Sequence, residues 1–123
     1  MRFISLLLAI CLLLTGCGAK SGSGNGNGPF KPTLDVTLDI KGQSVVVNVK
    51  TNMKISAEDY GAERKEGVGH IHMYLDNGEK IGVKTGSHTF TELPAGKHTV
   101  KVSLHNNDHT PYDVTKTYDF TIK

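Results

Sequence analysis

From Thr33 onward, hydrophobic residues recur with a period of two. Leu34, Val36, Leu38 and Ile40 alternate with Thr33, Asp35, Thr37 and Asp39; a Lys41-Gly42 break follows, and Val45, Val47 and Val49 resume the alternation. Successive side chains of an extended chain point to opposite faces, so the pattern predicts strand, turn, strand, with one face apolar and one polar. The alternation returns at Ile71-Met73-Leu75, at Ile81 and Val83, at Val100-Val102-Leu104 and at Val114-Tyr118-Phe120-Ile122. Turn chemistry separates these runs: Asp76-Asn77-Gly78, Thr85-Gly86, Pro94-Ala95-Gly96 and Asn106-Asn107-Asp108. With a short segment from Ser87 to Thr91, the count comes to about seven strands in roughly ninety residues. That predicts an all-β, immunoglobulin-like antiparallel sandwich, cupredoxin-like in outline, over residues 33–123. The stretch Ile55 to Gly69 breaks the rhythm and reads as a long surface loop, with Ser56-Ala57-Glu58-Asp59 as a capping box for one helical turn.

The amino end is of another kind. Arg2 precedes an apolar run from Phe3 to Leu14, then Thr15, Gly16 and Cys17, the layout of a secretory signal. Twelve helical residues span about 18 Å, against a hydrocarbon core of roughly 30 Å, so a permanent transmembrane helix is not expected. Leu14-Thr15-Gly16-Cys17 resembles the lipobox of bacterial lipoproteins. The resemblance implies cleavage before Cys17, acylation of its thiol, and anchorage in the lipid bilayer on the extracytoplasmic face of the cell membrane. Residues 1–16 are then a leader. Residues 17–32, with their Gly, Ser and Asn tract from Ser21 to Gly28, are a flexible tether. Cleavage also removes Cys11, leaving no second thiol for an intramolecular disulfide.

Charge adds little. Lys+Arg 14 against Asp+Glu 12 gives a net charge of +2 with histidine neutral, so no nucleic-acid footprint is expected. The six histidines are more informative. If Ile71, Met73 and Leu75 face the core, His70, His72 and Tyr74 share the opposite face, and the plainest reading of that face is a solvated one. Imidazoles at i and i+2 on one strand face have Cβ atoms about 7 Å apart, close enough to ligate one ion. By the same parity His105 points outward beside Val100, Val102 and Leu104, whereas His98 points inward. His98 and His88, which shares a face with Phe90, read as core-edge histidines making one hydrogen bond each. His109, in the turn-rich Asn106 to Pro111, can close a site begun by His70 and His72, with His105 as an additional donor. Met73 would suit reduced copper, but its parity places it in the core. All-imidazole ligation suits copper, with zinc as second choice.

The stretches Thr51 to Gly61, Gly69-His70-Ile71-His72-Met73-Tyr74-Leu75-Asp76, Ser87 to Phe90, Leu93 to Val100 and Asn106-Asn107-Asp108-His109-Thr110-Pro111 resemble a group of secreted bacterial and archaeal β-sandwich domains. Their motifs are G-H-x-H-x-Y-L-D and N-D-H-x-P. The resemblance implies the fold and singles out His70, His72 and His109; it brings no activity. Met53 stands where that group is expected to have an aromatic, which points to packing. The expectation is a membrane-anchored lipoprotein that carries or buffers a transition metal. The alternative is a metal-free module binding a protein or wall polymer through its loops, with no partner protein identified. Asp108 beside His109 is not a catalytic triad and no nucleophile completes one, so an enzyme is not expected.

Overall fold

The computed structural model describes residues 29–123; the expected leader, Cys17 and the Gly/Ser/Asn tract lie outside the described residues. The chain forms β1 (Asp35–Lys41), β2 (Ser44–Lys50), β3 (Lys54–Ile55), β4 (Val68–Leu75), β5 (Ile81–Val83), β6 (Ser87–Phe90), β7 (Gly96–His105) and β8 (Pro111–Ile122). One sheet runs β1-β2-β6. The other runs β3-β4-β7-β8, with β5 also paired to β4. The two sheets make an all-β, immunoglobulin-like sandwich.

The apolar parity of the strands becomes its core. Val45 and Val47 from one sheet meet Ile71, Met73, Val100, Val102 and Leu104 from the other, all with no exposed surface. Full burial of such side chains contributes about 1.5–3 kcal/mol each, which explains why the alternation persists across every long strand. Met53 joins this core, as its packing role requires. Met73 is likewise enclosed there, away from the histidine face.

Two strand boundaries and the strand count depart from the periodic pattern. β1 begins two residues after Thr33, whose backbone N–H donates to Asn52 Oδ1 at 2.9 Å rather than to a strand. β8 begins at Pro111 instead of Val114, because Tyr112 and Asp113 are accommodated by a register shift opposite Leu104 and His105. The additional strand, β3, is two residues long and pairs parallel to β4, so the sheet is not purely antiparallel. A two-residue strand carries no periodic signal. Ser56 and Asp59 form a turn without a helix: Asp59 N–H donates to Ser56 Oγ at 3.3 Å, and that hydroxyl donates to Asp59 Oδ2 at 2.8 Å.

His98 takes the inward parity, 7% exposed and stacked on Phe120 with ring centroids 5.5 Å apart. It makes two hydrogen bonds, not the expected one: Nδ1 donates to Asp76 Oδ2 and Nε2 to the Pro94 carbonyl, both at 2.7 Å. Two acceptors require two N–H groups, hence an imidazolium. The hydrogen bond to Asp76 raises the His98 pKa and lowers that of Asp76. The pair ties the start of β7 to the β4–β5 turn, where Asp76 and Asn77 take positive φ and Gly78 N–H closes on the Leu75 carbonyl at 2.8 Å. Asn and Asp tolerate that left-handed geometry better than most residues, as in the tight turns of hairpins. His88 meets Phe90 edge-on at 4.7 Å, and among the described residues its ring has no hydrogen-bond partner where one was expected.

Candidate metal centre

Strand register builds the site from the outer face of the larger sheet. His70 stands opposite His105 and His72 opposite Ser103, while on the other side of β4 the partner of His72 is Gly82. The imidazoles therefore share one face, as parity predicts, but not one washed by water. His70 is 0% exposed and His72 2% exposed. The segment between β3 and β4 folds over them. The Tyr60 ring lies 4.4 Å from the His70 ring and 4.9 Å from that of His109, centroid to centroid. Gly82 makes room for this cover, since a Cβ there would lie 2.6 Å from Tyr60 Oη.

The covering loop is held by two buried asparagines. Lys65 N–H donates to Asn106 Oδ1 at 3.0 Å, Asn107 Nδ2 donates to the Glu63 carbonyl at 3.1 Å, and Gly61 N–H donates to the Asn107 carbonyl at 2.8 Å. These contacts lock the loop to the β7–β8 connection, which carries His109. At Gly69 a Cβ would collide with the His105 backbone carbonyl, so only glycine lets the end of β7 come this close. His109 sits at φ 69, a left-handed conformation uncommon outside glycine that brings its ring back over the strand face.

Three nitrogens converge. His70 Nε2 lies 2.9 Å from His72 Nε2 and 3.1 Å from His109 Nδ1, and the three candidate ligand atoms fall within 4.8 Å of one another. His70 and His72 are buried, whereas His109 is exposed. Nitrogens bound at about 2.0–2.1 Å to one tetrahedral ion are roughly 3.3–3.4 Å apart, so the two pairs that share His70 need to spread by only a few tenths of an ångström, while the ligand atoms of His72 and His109 lie within 4.8 Å. Burial first, then the charges of His109, His105, Lys80 and Lys84, push the His70 pKa down to about 4. Burial, then His105, His70, Lys80 and His109, push that of His72 down to about 3. Both rings are thus neutral at ordinary pH, the state a metal requires. With Nε2 turned to the cluster, His70 Nδ1 and His72 Nδ1 remain buried without a protein partner.

His105 lies beside this group rather than within it. Its ring stacks on His72 at 3.7 Å, while Nδ1 donates to the His109 carbonyl at 3.1 Å. A carbonyl only accepts, so the proton is on Nδ1 and Nε2 accepts from Ser103 Oγ at 2.9 Å. Thr115 Oγ1 in turn donates to Ser103 Oγ at 3.0 Å. With both nitrogens engaged, His105 holds the backbone of His109, and its nitrogens are not among the three that converge. The Thr115–Ser103–His105 relay and the Tyr60 cover were not anticipated from the sequence. Gly69 and Gly82, glycines inside strands, were the available signals of close approach.

No family model matches this sequence, and no curated protein matches it. Among solved structures, the chain is similar to the PKD1 domain of Vibrio anguillarum Epp, with a TM-score of 0.52 and 17% identity over 78% of this chain and 98% of that one. It is also similar to the PKD1 domain of the Vibrio cholerae metalloprotease PrtV, with a TM-score of 0.50 and 15% identity over 76% of this chain and 98% of that one. At these identities the likeness carries the fold alone.

Proposed function

We propose that this chain is an extracytoplasmic lipoprotein, anchored through acylated Cys17, that carries or buffers a transition metal rather than catalysing a reaction. Copper is the first choice and zinc the second, because an all-imidazole donor set suits both and the Irving–Williams order favours copper. The observation that supports this reading is the approach of His70 Nε2, His72 Nε2 and His109 Nδ1, from a strand and a distant loop, to within 4.8 Å of one another. His70 and His72 are neutral, each has a ligand nitrogen near ligating separation, and the group is held by the contact of His105 with the His109 carbonyl and by the cover of Tyr60. The unpartnered Nδ1 atoms of His70 and His72 would carry the protons in the loaded form.

The competing reading is a metal-free module that binds a macromolecule through its loops. It is favoured by the N–N separations of 2.9 and 3.1 Å, which are those of hydrogen bonds between imidazoles. Calorimetric titration of the purified protein with copper and with zinc separates the two. The metal reading expects one ion per chain and a tenfold or greater loss of affinity in each of His70→Ala, His72→Ala and His109→Ala. Absence of binding at micromolar concentration, or three variants indistinguishable from the parent, supports the module instead.

A further inference from the structure

Three imidazoles leave a tetrahedral ion one donor short, and the side left open is that of His109, the exposed member of the cluster. Strand parity says what surrounds it. Continuing the β4–β5 register places Lys80 and Lys84, either side of Gly82, on the histidine face, and the β4–β7 register adds Lys101 opposite Tyr74. Lys84 Nζ lies 4.1 Å from the centroid of Tyr60, the ring that covers His70, and Lys101 Nζ lies 4.3 Å from that of Tyr74. On β8 the residues facing Ser103 and Lys101 are Thr115 and Thr117. Three carboxylates are turned to other partners: Asp59 to Ser56, Asp108 to Thr110 and Asp119 to Thr99. Asp113 acts on His105, and the fields of Lys80 and Lys84 reach His70.

Neutral donors inside a rim of lysines compensate none of the charge of a divalent ion. We propose that the loaded site completes its coordination with a small exogenous anion of the carboxylate or bicarbonate class, steered by Lys80 and Lys84 and bound beside His109. The metal supplies the fourth bond, and the lysines raise the local concentration of anions over a low-dielectric wall formed by Tyr60. This rests on the metal reading above.

The test uses the protein loaded with one copper(II) per chain. Azide is the reporter, because its binding to copper(II) gives a ligand-to-metal charge-transfer band, and acetate and bicarbonate are the competitors. The expected result is a saturable band that either competitor displaces. In Lys80→Gln/Lys84→Gln the azide affinity should fall about three- to tenfold with copper stoichiometry intact, while Lys116→Gln, on β8 beside Asp35, leaves it unchanged. A chain that binds copper but gives no azide band overturns the anion site and spares the metal reading. So does a band of equal affinity in the double lysine variant, or one that neither competitor displaces. Failure to bind copper overturns both.

Discussion

Acid should unfold the metal-free protein well above the range where carboxylates titrate, because two buried imidazoles must be stripped of water to fold. In the unfolded chain His70 and His72 take up protons near pH 6.5. In the folded chain they do so only at about 4 and about 3. Both folded values lie below the unfolded one, so their contribution is fully present above about pH 6.5 and is lost as pH falls toward the folded values. At about pH 5 each has lost roughly 1.5 pH units at 1.36 kcal/mol per unit, about 2 kcal/mol. The pair then loses up to about 4 kcal/mol, a ceiling because each shift is partly due to the other ring, out of a total near 5–15. For a domain of this size that corresponds to a drop in Tm of roughly 15–30 °C. His105, whose pKa is also lowered by burial, adds in the same direction, whereas His98, whose pKa is raised, opposes it. Asp76 and Asp108 are held below the usual carboxylate range and stay ionised throughout. Circular-dichroism melts of chelator-treated protein between about pH 7.5 and 5 measure the effect, with His70→Leu/His72→Leu as the variant that lacks the two buried rings. Equal Tm at both ends of the range, or the same drop in the leucine variant, would falsify the reasoning.

Three further outcomes follow from other parts of the molecule. Val102→Asp should prevent folding while Lys101→Asp is nearly silent, since the first side chain has no exposed surface and an unpaired buried carboxylate costs several kcal/mol; equal tolerance, read from thermal melts, would put the strand register off by one. Gly69→Ala should cost more than about 2 kcal/mol in urea denaturation, because the new Cβ meets backbone at His105 that cannot swing aside; a wild-type midpoint would mean that β7 can back away. His98 is stabilising as an imidazolium, so its contribution is complete below pH 6.5 and is lost as pH rises through its raised folded value. Asp76→Asn should therefore flatten the alkaline side of the stability profile, and an unchanged profile would remove the pair from the account.

By itself the sequence determined the sandwich and the face on which each strand residue lies. Alternation of Val100, Val102 and Leu104 with Lys101 and Ser103 needs only the two-residue repeat of an extended chain and the cost of wetting an apolar side chain, both local properties. The same repeat put His70 beside His72 and turned Met73 away from them. It did not reveal β3, too short to have a period, nor that Tyr60 roofs the histidine face, nor that His105 spends both nitrogens on Ser103 and the His109 carbonyl. Those features set Tyr60 against His109 from distant parts of the chain, pair β3 with a strand beyond a long loop, or turn on a backbone bulge and a positive φ at His109. No local pattern encodes them. The meeting of three imidazoles was decided by the packing of two loops over one strand face, where Asn106 Oδ1 and Asn107 Nδ2 tie one loop to the other and Gly69 and Gly82 leave the space to do so.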